Sequence, residues 1–440
     1  MQLGNEMADT SKEQVVSPSF QETFLVWARI GFLSFGGPAG QIALMHKVLV
    51  EERRWMEERR FLSALNFCML LPGPEAMQLA TYAGWRLHGV VGGLTAGLLF
   101  VLPGALVILA LGITYAAFGK TPLMEALFIG IKAAVLAIIV EALIRVARRA
   151  LRSRMDWVVA AVAFFALFFF AVPFPLVVIA ALLVGYAFSP RNLEDASFAM
   201  PAPVSFAATL RTIGIWLAIW IVPLALVAVI FGQGHVLSQL AFFFSKMAVV
   251  TFGGAYAVLA YVAQQVVQGY GWLEPGEMLD ALGLAETTPG PLILVTEFVG
   301  ILAAWRHGGD TPLLMGVLGA LVTLWATFAP CFLWIFAGAP YIERLTHEPR
   351  LSGALRAVTA AVVGVILNLT VWFALHVLFG HVEAVAVGPV TVSAPVLSSF
   401  QPVLAALGVL AAVLIFGLRV GIVTTMAVTA LAGLVWWQLS

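Results

Sequence analysis

Apolar residues run along this chain in long blocks separated by short polar stretches. Residues 90–118 and 157–188 contain no Lys, Arg, Asp or Glu, and about 20 apolar residues are enough to cross a bilayer as a helix. The first half reads as apolar segments at about 24–50, 60–83, 90–118, 123–145, 157–172 and 174–188. Pro173 and Pro175 interrupt the last long run, which predicts two short helices in a hairpin. Residues 189–208 form a polar linker, and a lone apolar segment follows at 209–231. The second half repeats the pattern at about 237–267, 278–303, 312–339, 354–380, 397–416 and 418–438.

The repetition extends to motifs. Phe35-Gly36-Gly37 returns as Phe252-Gly253-Gly254, Trp55 as Trp272, and Pro72-Gly73-Pro74 as Pro289-Gly290-Pro291, each 217 positions later. Sparse motifs holding one register mark two copies of one unit, at 20–188 and 237–438. Six segments return a chain to its starting side, and the extra segment 209–231 flips it. The second unit is thus expected to run inverted, as in many secondary carriers.

Composition fits this reading. Hydrophobic residues make up 62% of the 440 residues and charged residues only 10%, against about 25% charged in a soluble domain. The expected fold is an all-α polytopic membrane protein built from two inverted repeats with broken or re-entrant helices. Lys plus Arg equals Asp plus Glu, so net charge is uninformative; loop charge is what orients such chains. Arg145, Arg148, Arg149, Arg152 and Arg154 place their loop in the cytoplasm, which puts the N-terminus and 189–208 inside and the C-terminus outside. Arg53, Arg54, Arg59, Arg60 and Arg306 then fall outside, against the rule. Re-entrant first and second segments would relieve that conflict. Residues 1–22 are polar and lack the apolar core of a signal peptide. Cys68 and Cys331 have no paired spacing and the seven histidines no metal spacing, so neither a disulfide nor a metal site is expected.

Candidate chemistry sits at the breaks. The first segment of each unit places a cation, a hydroxyl and a Gly-Gly together: Arg29, Ser34, Gly36 and Gly37, then Lys246, Thr251, Gly253 and Gly254. Gly-Gly lets a helix break and a ligand approach the backbone. Pro38 favours a fresh helix start, whose free N–H groups suit an anion. Close packing by small residues is the competing reading of Gly-Gly, and snorkelling at a span end that of the two cations. Pro72-Gly73-Pro74 and Pro289-Gly290-Pro291 cannot sit in regular helix. Paired breaks at matching positions point to a binding site near the midplane. Glu75 and Glu286 flank them and are candidate proton carriers. Asn66, Gln78, Thr287 and Glu297 could line the same cavity. Lys132, mid-segment, is either a second anion contact or an ion-pair partner of Glu125 or Glu141. Trp55 and Trp272 read as interfacial anchors.

The phrase Gly31-Phe32-Leu33-Ser34-Phe35-Gly36-Gly37-Pro38-Ala39-Gly40-Gln41, followed by Leu71-Pro72-Gly73-Pro74, resembles the chromate ion transporter family in its long, two-unit form. The likeness covers about 20–438. It implies export of chromate across the cytoplasmic membrane, driven by membrane potential or a proton gradient, with sulfate as a chemical relative. Position 255 is Ala where the first unit has Pro38, which sets the two units apart. Transport of sulfate or another oxyanion is the first alternative. A membrane-embedded chromate reductase is the second, disfavoured because no dinucleotide fingerprint or redox cysteine pair is present. The expected partners are an oxyanion and the lipid bilayer, with no cofactor and no nucleic acid, in a monomer or a homodimer.

Overall fold

Ser19 opens the first helix by accepting the Glu22 N–H on its hydroxyl, a cap that satisfies one orphan donor. In the computed structural model, which describes residues 18–35, 37–188, 205–250, 252, 255–342, 349–387 and 390–439, that helix is Phe20–Leu33 (α1). It breaks at Ser34, and Gly37–His46 (α2) resumes, drawn out by a π-helical turn, Lys47–Glu52. Arg53 donates to the Glu22 carboxylate at 2.8 Å. The end of α2 therefore lies beside the start of α1, and the pair is a re-entrant hairpin.

A second hairpin follows. Glu58–Leu70 (α3) leads to the Pro72-Gly73-Pro74 tip, and Glu75–Phe118 (α4) leaves it. Helix α4 has two arms, because His88 and Gly89 are non-helical. His88 meets the Thr23 hydroxyl at 3.0 Å, and His46 meets Glu58 at 2.6 Å. Both hairpins thus open at one face. The second arm of α4, residues 90–118, crosses the molecule, and Pro122–Ala150 (α5) returns to the same face. That face carries Arg145, Arg148 and Arg149 and is called the arginine face below. Arg154–Phe170 (α6) and Phe174–Phe188 (α7) form the expected short pair, separated by 171–173. Phe206–Phe231 (α8) is the linking helix, its start tied to Tyr341 through Thr209 at 2.7 Å.

The second half repeats the plan from the other end. Val236–Val250 (α9) and Ala255–Gln264 (α10) flank the second Gly-Gly, of which Gly253 and Gly254, like Thr251 and Gly36, lie outside the described residues. Pro275–Thr287 (α11) and Val295–His307 (α12) flank the second Pro-Gly-Pro. Arg306 at the end of α12 binds Glu277 at the start of α11 through two bonds of 2.8 and 2.5 Å, so this pair is also re-entrant. Pro312–Gly338 (α13) and Pro349–Leu378 (α14) cross next. A small antiparallel hairpin follows, Val382–Val387 (β1) and Val390–Pro395 (β2), paired from Val382 with Pro395 to Val387 with Val390. The sequence reading had only a loop there. Pro402–Ala412 (α15), with its π-helical extension Val413–Gly417, and Ile422–Leu439 (α16) close the chain.

Arg356 of α14 binds Asp156 at the start of α6 at 3.1 and 2.7 Å, which sets the start of α14 at the arginine face. Helix α13 therefore starts at the opposite face, and the second pair of hairpins enters from there. Among the described residues, six helices are long and apolar enough to cross a membrane: α4, α5, α8, α13, α14 and α16. The hairpins also resolve the charge conflict at 51–60, whereas Arg306 stays at the opposite face, paired with Glu277. Arg53, Arg54, Arg59 and Arg60 stand at the arginine face with the α5 arginines. Parity is unaffected, because each re-entrant segment returns to its own side.

The two halves exchange covers. Helices α6 and α7 pack on α14 of the second half, and α15 and α16 pack on α5 of the first. At one crossing a Cβ on Gly130 would sit 1.9 Å from the Thr429 carbonyl oxygen, the close backbone approach that small residues permit in membranes. Trp55 and Trp272 are buried at 5% and 3% exposure. They wedge beneath the hairpins and are not interfacial anchors.

Candidate site at the meeting of the hairpin tips

Hairpins entering from opposite faces meet tip to tip. The Gly290 N–H donates to the Ser34 carbonyl at 2.8 Å, and the Gln41 amide donates to the Gly290 carbonyl at 2.6 Å. Ser34 is fully buried and donates back to Ile30 at 2.6 Å, closing the end of α1. The break of one unit is thereby stitched to the Pro-Gly-Pro of the other. Gly73 and Gly290 have φ of +116° and +92°, a region open to glycine and strained for other residues. Flanking prolines fix the chain on either side, so the tip reverses without regular hydrogen bonds. Gln78 donates to the Pro72 carbonyl at 2.7 Å and braces the first tip.

Beside these tips lies a cavity of about 100 Å³. Pro38 and Ala39 line it from the start of α2, and Ala255 and Tyr256 from the start of α10. These are repeat-equivalent positions, so the cavity lies where the two units face each other. Glu75 adds the start of α4, Ala142, Arg145, Val146 and Arg149 come from α5, and Ile366 from α14. Three helix N-termini and two guanidinium groups thus converge on one small space. Helix N-termini present free N–H groups and partial positive charge, and arginine offers a fork for oxyanions. The volume suits a small ion and is well below the roughly 300–1,000 Å³ of drug-sized ligand sites.

A second, open cavity of about 730 Å³ adjoins it at the arginine face. Arg145 and Arg149 line both spaces, while Arg148, Arg419 and Glu141 line the outer one. Four guanidinium groups against one carboxylate leave this mouth net positive, which raises the local concentration of anions.

Carboxylates thread the inner site. Tyr256 donates to Glu286 at 2.6 Å, and the other Glu286 oxygen is buried without a partner. Glu297, behind the second tip, is fully buried with neither oxygen hydrogen-bonded. Arg145 binds Glu141 one turn back on α5, through Nε at 3.1 Å and through Nη2.

The sequence-named residues divide in position. Ser34, Gly37, Pro72, Gly73, Pro74, Pro289, Gly290 and Pro291 sit at or beside the tips, and Glu75 and Glu286 lie at the cavity or one hydrogen bond from it. Arg29 and Lys246 are exposed on the outer sides of α1 and α9, beside Phe32 and Phe242. The α1 helix stops at Leu33 and Ser34 and Phe35 are non-helical, so Arg29 and the Gly-Gly do not share one helix. Asn66 is exposed on α3. Lys132 lies 3.4 Å from Asp280, which also accepts from Tyr115 at 2.7 Å. Its partner is neither Glu125 nor Glu141. Sequence reasoning missed Arg145, Arg149 and Tyr256 as lining residues. The arginines were read only as loop charge, although their four-residue spacing on a long apolar helix puts them on one face. Tyr256, adjoining the second Gly-Gly, was passed over.

Sequence profiles of the chromate transporter family match residues 21–186 and again 238–436. The chain belongs to the chromate transporter family. A chromate transport protein of Pseudomonas aeruginosa is 34% identical over 377 residues, covering 83% of this chain and 84% of its own length. A probable chromate transport protein of Synechococcus elongatus is 30% identical over 371 residues, 83% of this chain and 88% of its own. A chromate transport protein of Cupriavidus metallidurans is 29% identical over 372 residues, 80% and 82% of the two lengths. No solved structure matches the chain. Membership makes the protein a membrane transporter, and the two profile matches coincide with the two halves of the chain.

Proposed function

We propose that the protein exports chromate, or a closely similar tetrahedral oxyanion, from the cytoplasm by exposing the central cavity to each face in turn. The observation that carries this reading is the convergence of Arg145, Arg149 and the starts of α2, α4 and α10 on one small cavity. N–H groups and guanidinium protons there replace the water that a dianion sheds. The Ser34–Gly290 stitch and both Pro-Gly-Pro tips hold the cavity walls. Two inverted units, 20–188 and 237–438, would rock against each other about the tips, with 189–208 and α8 as their connection.

Orientation follows from the arginine face, which the charge rule puts in the cytoplasm of the inner cell membrane. The N-terminus is then inside and the C-terminus outside. Moving one charge through 100 mV is worth about 2.3 kcal/mol, so a dianion leaving a negative interior gains about twice that. Membrane potential alone can therefore drive export, and Glu75 and Glu286 stand ready as proton carriers should a proton gradient contribute.

Flux of radiolabelled chromate into inside-out vesicles, with sulfate as competitor, tests the proposal. Potential-dependent accumulation that sulfate inhibits is the expected result. Sulfate flux without chromate flux would replace the substrate, and chromium recovered in a reduced state would turn the reading toward a reductase. No flux above empty vesicles would overturn it.

A further inference from the structure

Arg145 stands, with Arg149, at the neck between the two cavities, for both residues line both spaces. Glu141 lines the outer cavity and reaches the Arg145 guanidinium through both of its carboxylate oxygens. Their side chains are 33% and 28% exposed, so the pair is neither sealed in the core nor free in solvent. One turn on, Arg148 and Arg149 have no carboxylate within ion-pair distance among the described residues. Of the two α5 arginines that line both cavities, Arg145 is the one already occupied. A carboxylate and a tetrahedral oxyanion offer a guanidinium the same two-oxygen edge. Whatever passes from the outer cavity to the inner one meets that fork filled.

We propose that Glu141 is a tethered competitor of the transported anion. Its carboxylate holds Arg145 when the site is empty, and an entering oxyanion displaces it. The inference rests on the anion-transport reading above and assigns Glu141 the role of setting the affinity of the inner site. The other charged or titratable groups around the pair are Glu75, Arg148, Arg149, Arg419, Tyr256 and Glu286. Displaced Glu141 would swing toward the outer cavity, where Arg148 and Arg419 can take it. An ordinary four-residue pair that merely steadies α5 is the alternative, and it makes the opposite prediction for binding.

The test is equilibrium binding of radiolabelled chromate, and separately of sulfate, to the full-length protein in lipid nanodiscs. Glu141→Gln removes the competing charge and is expected to bind about 3- to 10-fold tighter, the scale of one part-exposed charge-assisted pair. Glu141→Asp keeps the charge but shortens its reach; it should also bind tighter, and it serves if the glutamine variant does not fold. Arg145→Gln should bind weakly whatever stands at position 141. Unchanged or weaker binding by folded Glu141→Gln or Glu141→Asp, with wild type binding normally, overturns the competitor role alone. Failure of the wild type to bind either anion overturns the functional reading and this inference with it.

Discussion

In the first half, the helix leaving the Pro-Gly-Pro tip begins with Glu75; 217 positions later the matching residue is Leu292. Ala39 in one half answers Tyr256 in the other, and Gln41 answers Val258. The last two turns of α5 carry Arg145, Arg148 and Arg149, while those of α14 carry Trp372, Phe373 and His376. The halves therefore share backbone breaks but not side-chain chemistry. Breaks are repeated because both tips must reverse without a regular helix. Under the export proposed above, charge would be unrepeated because the two ends of the pathway face different solutions, with cations at the end where the anion is collected.

The sharpest way to break this comparison is to exchange the chemistry. Arg145→Gln with Arg149→Gln should reduce chromate transport about 100-fold or more, since losing one buried charged partner costs about 2–5 kcal/mol. Trp372→Ala with His376→Gln, at the matching turns of α14, should stay within about threefold, as changes clear of a charged site cost little. Equal losses in vesicle flux would show that the halves contribute alike.

Contact between the halves is tested next. A Cβ on Gly104 would lie 2.0 Å from the Pro289 carbonyl oxygen, whereas Gly408 has nothing within 4 Å. Gly104→Ala should destabilise by about 1–3 kcal/mol through overpacking, and Gly408→Ala should be neutral or slightly stabilising. Thermal melts in detergent would rank them, and matching melting temperatures would deny the tip-to-backbone contact.

A smaller effect concerns Asp156, at the arginine face ahead of the apolar run of α6. Burial pushes its carboxyl upward, but Arg356 and the Ser153 and Arg152 donors outweigh this and hold it at about 2. The folded value lies below the unfolded value near 3.9, so the stabilisation is present above about pH 4 and lost as pH falls through about 2. Asp156→Asn should cost about 1–2 kcal/mol at pH 7, discounted because Arg356 is half exposed. Its melting difference from wild type should shrink as pH drops below 4. A constant difference would remove the ion pair from the account.

Smallest of all should be Arg29→Gln and Lys246→Gln. The sequence reading names these cations as candidate chemistry beside the Gly-Gly breaks. Their place outside the cavity lining predicts flux within about twofold of wild type, as for surface changes worth about 0.5 kcal/mol. Abolished flux in folded variants would return both residues to the site.

Much of the fold was legible because it is written in long apolar runs and in Gly and Pro. Those residues constrain the backbone wherever they occur, so the repeat, the tips and the α6–α7 pair could be read directly. Re-entrance was not decidable, because a half-crossing and a full crossing need similar apolar composition. It took Arg53 beside Glu22 and Arg306 beside Glu277 to show that both ends lie together. The site was half legible for the same reason. Glycines, prolines and Glu75 announce themselves by position. Arg145 and Arg149 carry the same letters whether they anchor a loop or line a cavity, and only the fold separates those roles. Arg29 shows the converse: a cation near a break looks functional until the helix ends three residues early.

Exchange of covers between the halves also governs how the molecule can be made. Helix α5 leaves the ribosome more than 270 residues before α16 is complete, about 15–55 s at ordinary elongation rates. Until then its Gly130 face has no lid, and α6 and α7 have no α14 to lie on. The nascent first half is thus an unfinished client of the insertion machinery, held in the bilayer with its small-residue seams unzipped. Neither half carries its full set of covers alone; the last eighteen residues of helix complete what the first third began.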